Sequence, residues 1–217
     1  MIHLATKYDM MHEKRRTQIL ASAKALILKR DIAATTMRDI AKDCDISRQT
    51  LYKYFVSLDD IIYAIQADIF QESSVYFHPQ DTCTSVLDLF VYGIDCLYQY
   101  YQEHEDDFIF TCLFDTYVRA HHSKEYASQR YYRFLIANSP IIQKIFSMHP
   151  NQQDEICGVK RETFSALIEI GLALFARMAI LGDNFSCDGL LTKKQLVDIY
   201  KDMVITYLQN KQIQSGR

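Results

Sequence analysis

The sequence predicts an all-α protein of about nine helices: an N-terminal helix-turn-helix head of three helices, then a larger helical body. Three observations carry this. Only 6 Gly and 3 Pro punctuate 217 residues, too few breakers for a chain of many turns. Apolar residues recur at three- and four-residue spacing, the period of a helix with one buried face. Hydrophobic residues make up 49% and charged residues 24%, an ordinary globular composition that can bury a core.

The first helix is predicted over Glu13 to Arg30, with Ile19, Ala23, Leu26 and Ile27 on one face. Lys14, Arg15 and Arg16 fall at its start, the unfavourable end of the helix dipole. Cations there suit a phosphate or a solvated, frayed terminus. In the following DIAATTMRDIAKDCDIS, Thr35 or Thr36 can cap a short helix, with Asp39 three residues after Thr36 as in a capping box. Met37, Ile40, Ala41 and Cys44 form its inner face. Asp45 suits a tight turn because Asp tolerates left-handed backbone, and Ser47 caps a third helix. Two short helices joined by a tight turn make a helix-turn-helix.

Longer helices are predicted over 58–75, 84–103, 106–121, 124–147, 155–181 and 192–211, with Pro140 kinking or splitting the fourth of these. HPQD (78–81), HPNQQ (149–153) and GDNFSCDG (182–189) are the breaks. The helix over 155–181 is apolar nearly all round, so it must be covered on most sides. The division expected is a helix-turn-helix domain over 1–57 and a larger helical domain over 58–217.

Net charge is -3, but residues 1–66 carry +3 and the rest -6. A basic head on an acidic body fits an end that binds a polyanion. Six cysteines (44, 83, 96, 112, 157, 187) show no CxxC pair or zinc spacing and read as free thiols in a reducing cytosol. The start, MIHLATKYDMMHEKRR, lacks a signal-peptide apolar region. No run of about 18 apolar residues occurs, so no membrane span is expected. The chain is expected to be cytoplasmic.

The third helix, in SRQTLYKYF, has a polar and ring-rich outer face. In a helix-turn-helix it would lie in the major groove of DNA. Arg48 can take guanine and Gln49 adenine in bidentate fashion. Thr50 and Tyr52 can reach phosphates or thymine, and Lys53 a base or a phosphate. Leu51 and Phe55, four apart, would anchor the helix. An ordinary solvated helix face has the same composition.

Enzyme chemistry finds little support. No GxSxG, HExxH or phosphate loop occurs. His121 and His122, beside Ser123, point to different faces of a helix and make a poor metal pair. The acidic run EHEDD (103–107) reads as solvated caps at a helix junction. No cofactor and no metal are expected.

The stretch TTMRDIAKDCDISRQTLYKYFVSLDDI closely resembles the N-terminal signature of TetR-family transcriptional repressors. The residues that carry the resemblance are Thr36, Ile40-Ala41, Ile46-Ser47, Thr50-Leu51-Tyr52 and Tyr54-Phe55, within about residues 13–66. It implies phosphate contacts by Thr36, Thr50 and Tyr54, and a groove-facing set of Arg48, Gln49, Tyr52 and Lys53. Three positions depart from the family pattern: Asp31 and Asp45 stand where Gly is usual, and Leu58 where Lys, a phosphate contact, is usual.

The resemblance further implies a homodimer built from the last two long helices, a palindromic double-stranded operator, and a small-molecule inducer that releases the repressor. On the sequence, the interface is expected to use Phe164, Leu167, Ile168, Leu172, Phe175, Leu196, Ile199 and Met203. The inducer pocket is expected among Tyr92, Asp95, Tyr98, Phe110, Phe114, Tyr117, Tyr131, Phe134 and Phe175. Ring-rich pockets suit a ligand with polar and apolar parts, though the same rings at helical spacing also make plain core. Asp95 and Asp115, among apolar neighbours, would favour a cation. The alternative is a protein of the same fold that binds ligands or partners without specific DNA binding.

Overall fold

The computed structural model describes residues 7–121, 139–149, 151, 155–184 and 189–215. Among them are nine α-helices and no strand. In chain order these are α1 (Lys7–Arg30), α2 (Met37–Asp43), α3 (Arg48–Leu51), α4 (Leu58–Ser74), α5 (Val86–Glu103), α6 (Glu105–His121), α7 (Pro140–Ser147), α8 (Arg161–Leu181) and α9 (Lys193–Ser215). Short 3-10 turns follow α4 at Val75–Phe77 and α8 at Gly182–Asn184. The described residues form two compact units, one from residues 7–70 with 110–121, the other from 71–109 with the described residues from 139 onward.

In the first unit, Ile19, Ala23 and Ile27 of α1, Ile32, Ile40 and Ala41 beside α2, Leu51 of α3, and Ile61, Ile62 and Ile65 of α4 make the core. Helix α1 is already formed at Lys7, so Lys14, Arg15 and Arg16 lie well inside it and not at its start. Each gap between the short helices turns on an aspartate in the left-handed region. Asp31 has φ 79 and Asp45 φ 52, conformations that Asp tolerates and Gly adopts freely.

The second unit is organised around α5, α8 and α9. Phe90 meets Phe164 edge-on at 5.7 Å, and Tyr98, Tyr101, Phe108 and Phe175 form a ring cluster. Gly171 lets the Tyr200 ring close on α8, where its hydroxyl donates to the Leu167 carbonyl. Helix α5 opens on a capping box between Ser85 and Asp88. Pro140 starts a helix, in the first turn of α7 behind a Ser139 cap, where its missing N–H costs nothing. The stretch 124–138 of that expected helix lies outside the described residues.

The acidic run 103–107 is solvated only in part: Glu103 and Asp106 are exposed. Asp107 is 2% exposed and accepts from the Tyr100 hydroxyl. Glu105 accepts from Lys193 Nζ at 2.8 Å, and the lysine and the Tyr101 hydroxyl together hold its carboxyl below the usual range. Burial in turn pushes the Tyr101 hydroxyl up to about 12.

Helix α8 begins at Arg161, later than its apolar pattern predicts. Residues 156–159 instead make a tight turn, closed by Ile156 N to Val159 O at 2.8 Å and the reciprocal bond at 3.2 Å. Cys157 (φ 53) and Gly158 (φ 75) are both left-handed, as a two-residue hairpin turn requires. Arg161–Asn184 is the one segment among the described residues that is, by length and composition, apolar enough to cross a membrane. One face of α8 sits in the core through Phe164, Phe175 and Met178, while Ile170 and Ile180 on the other are exposed.

A Cβ at Gly158 would lie 2.6 Å from the backbone of Lys211. Gly158→Ala should therefore lower the unfolding free energy measured by urea titration by about 2 kcal/mol, from left-handed strain plus the clash. Gly182, also left-handed, has open space around it, so Gly182→Ala should cost clearly less in the same measurement.

Candidate nucleic-acid interface

The head is assembled by local hydrogen bonds legible in its sequence. Thr36 is the cap of α2. Its Oγ1 accepts from Asp39 N at 3.2 Å, and Asp39 Oδ2 accepts from Thr36 N at 3.1 Å and from the Thr36 hydroxyl at 2.6 Å. These bonds hold the Asp39 carboxyl below its usual range. Thr35, the other candidate, is buried and donates to the Asp31 carbonyl. The turn at Asp45 closes with Ile46 N to Ala41 O at 3.0 Å, and Ser47 caps α3 by accepting from Thr50 N at 3.0 Å.

Helix α3 is a single turn. Leu51 and Tyr52 donate back four residues, but Lys53 and Tyr54 donate back three, to Thr50 and Leu51. The chain then enters a second box, not singled out in the sequence although its Ser-x-x-Asp spacing was there to read. Asp60 N donates to Ser57 Oγ, and Asp60 Oδ2 accepts from Val56 N and Ser57 N. This closes the loop between α3 and α4.

The residues of the expected DNA contact set fall at the cap of α2, on α3 and in the turn that follows it. Thr36, Arg48, Gln49, Tyr52 and Lys53 are exposed. Thr50 is half-buried, its hydroxyl 2.8 Å from Ser47 Oγ. Tyr54 is half-buried because its ring stacks on His12 of α1, with centroids 4.5 Å apart and planes 24° apart. Leu51 and Phe55 are the anchors, 0% and 6% exposed. Arg16 lies over the Phe55 ring at 5.8 Å and reaches Asp68 on α4 at 3.9 Å. Nothing in the sequence pattern marked His12.

The residues expected to line a ligand pocket fall in both units. Tyr92 and Asp95 line a groove of ≈ 470 Å³ in the second unit with Val75, Tyr76, Gln80, Cys96 and Gln99, where Asp95 already pairs with Lys201 at 2.7 Å. Tyr98 and Phe175 belong to the ring cluster of the second core. Phe110 and Phe114 are buried in the first unit, and Tyr117 there donates to Asp59 at 2.8 Å. Tyr131 and Phe134 lie outside the described residues. Ring content alone could not separate these fates, because a pocket wall and a core have the same period along a helix.

Of the residues expected at a dimer interface, Phe164 and Phe175 are 0% exposed; both are spent on the chain's own core. Leu167, Ile168, Leu172 and Leu196 are half-buried, and Ile199 and Met203 are exposed. Among the described residues no group of three or more His, Cys, Asp or Glu is placed to hold a metal ion.

Residues 19–65 match the family model described as bacterial regulatory proteins, tetR family. No curated protein matches the chain. Among solved structures, the TetR family transcriptional regulator PfmR from Thermus thermophilus is similar at 17% identity and a TM-score of 0.49, over 86% of this chain and 96% of that one. A TetR-like transcriptional regulator from a Rhodococcus species is similar at 16% identity and a TM-score of 0.49, over 89% and 95%. The match over 19–65 is the informative one.

Burial alone raises the Asp115 carboxyl on α6 from 3.8 to about 6. The folded protein therefore holds a proton that the unfolded chain has lost between these values, and stability falls as pH rises through them. Asp115→Asn should raise the melting temperature relative to wild type at pH 8, with the difference closing as pH drops below about 4.

Proposed function

We propose that this chain, whose residues 19–65 carry the N-terminal domain of the tetR family of bacterial regulatory proteins, is a DNA-binding transcriptional regulator. It acts in the cytoplasm as a homodimeric repressor that leaves a palindromic operator when a small molecule binds. The observation that carries this reading is the coincidence of the family match with exposed Arg48, Gln49, Tyr52 and Lys53 on a capped one-turn helix. Arg48 and Gln49 read bases, and Tyr52 and Lys53 face the groove. Thr36, Thr50 and Tyr54 hold phosphates, which fix register without reading sequence. Residues 1–57 are the DNA-binding part and 58–217 the sensing and dimerising part. Leu58 in place of a lysine removes one phosphate contact, so the salt slope of binding is shallower by about one counterion.

Dimerisation is supported by an exposed apolar stripe on each of the last two helices. On α8 it holds Ile170 and Ile180; on α9, Ile199, Met203 and Tyr207. The two-fold-related copy covers these, and Phe164 and Phe175 act only from beneath. Release works by differential affinity: the small molecule favours a state in which the two heads no longer match the operator. We place that molecule in the groove at Tyr76, Tyr92 and Asp95. Helix α4 is the lever. Within the first unit it is latched to α6 by Tyr117 to Asp59 at 2.8 Å, by Gln66 to Thr111 at 3.2 Å, and by the edge contact of Tyr63 with Phe114.

Fluorescence anisotropy on duplex DNA from upstream of the chain's own gene, at two salt concentrations and with competitor, tests the reading. Wild type should bind specifically, and Arg48→Ala/Gln49→Ala should lose about 100-fold or more in affinity. Equal, weak binding by both there and on sequences enriched from a random duplex pool would leave the fold without a DNA role. Met203→Glu with Ile180→Glu should convert a dimer to a monomer in sedimentation equilibrium, since two buried unpaired carboxylates per chain would oppose association. A wild type that sediments as a monomer would remove the dimer.

A further inference from the structure

Two residues of α1, four apart on one face, grip the end of the reading helix. His12 stacks on Tyr54, and Arg16 lies over the Phe55 ring. These two rings are consecutive in sequence, so they leave the chain in different directions. Phe55 is the buried anchor, 6% exposed. Tyr54 stacks its ring on His12, a residue that precedes the matched residues 19–65.

The backbone at Tyr54 sets where that ring starts but not its rotamer. Helix α3 ends at Leu51; Tyr52 and Phe55 still donate back four residues, but Lys53 and Tyr54 make three-residue hydrogen bonds. Such bonds are weaker and the geometry frays readily. A side chain used for a phosphate contact there needs an outside support. Among the described contacts of the Tyr54 ring, the support is the imidazole of His12, offset-stacked at 4.5 Å with a 24° tilt. Aromatic pairs of this kind contribute beyond their burial.

We infer that His12 is a positioning residue for DNA binding: its ring, from outside the family-matched segment, orients Tyr54 toward the operator phosphate. This rests on the DNA-binding reading above. It makes the extended start of α1 part of the binding apparatus, although His12 itself need touch no nucleotide. A phosphate contact adds affinity without base preference. Loss of His12 therefore weakens binding to every site in proportion and leaves the preferred bases unchanged.

The test uses the full chain and a duplex that wild type enriches from a random-sequence library. Affinity, base preference by single-position variants of that duplex, and thermal melting are measured for wild type, His12→Ala, His12→Phe, Tyr54→Phe and His12→Ala/Tyr54→Phe. His12→Ala should lose about 3- to 10-fold in affinity, with unchanged base preference and unchanged melting. His12→Phe, which keeps a stacking ring, should restore most of the loss. Tyr54→Phe should lose a similar factor, and the double variant should lose no more than the larger single loss, since both act on one contact. His12→Ala binding as tightly as wild type overturns the inference and leaves the DNA-binding reading standing. So does a loss that His12→Phe fails to restore, or one that changes base preference, because α3 as a whole would then have moved. A wild type that enriches no duplex overturns the DNA-binding reading, and this inference with it.

Discussion

A helical turn fixes about three residues for its first hydrogen bond, so a helix of one turn has no stability of its own. Helix α3 is such a turn, four residues long. Its place in the molecule depends on burying Leu51 and Phe55 against the rest of the first unit. Every other feature of the head serves that contact. The Asp45 turn aims the chain, Ser47 satisfies the amide of Thr50, and the box at Ser57 and Asp60 takes up the amides that follow. With the apolar side anchored, the opposite side is free to be polar. This is why Arg48, Gln49, Tyr52 and Lys53 stand at the surface without loss to the fold.

The body solves a different problem. Helix α8 is apolar around most of its circumference, and a helix packed inside one chain has only so many neighbours. The core takes Phe164, Phe175 and Met178, and Gly171 admits Tyr200 so closely that a methyl group would lie 3.0 Å from its ring. What remains, Ile170 and Ile180, meets solvent in the single chain. The exposed residues of α9 follow at Ile199, Met203 and Tyr207.

Polar contacts are concentrated where helices meet at corners. At the junction of α5 and α6, Asp107 is buried under Tyr100, and Glu105 bridges Tyr101 and Lys193. These carboxylates look from the sequence like solvated helix caps because a run of acids has no period that tells its burial. Their partners lie on α5 and, for Glu105, 88 residues away at the start of α9.

The sequence by itself determined the helical class, the order of the elements and the local chemistry of the head. Capping pairs and turn aspartates act over three or four residues, so Thr36 with Asp39, Ser47 with Thr50, and left-handed Asp45 could be read directly. It also marked the exposed polar residues in and just after α3, since polar side chains opposite a buried Leu51 and Phe55 leave few other arrangements. Tertiary structure alone decided which apolar residues serve the core and which face outward. Helix period places Phe164, Phe175 and Met203 on apolar stripes, but only packing puts the first two at 0% exposure and leaves the third open. It alone divided the rings expected in one pocket between two units, and it alone brought His12 against Tyr54, 42 residues along the chain. Such contacts join segments with no shared local pattern, and their partners are chosen by the fit of surfaces that exist only once the helices have packed.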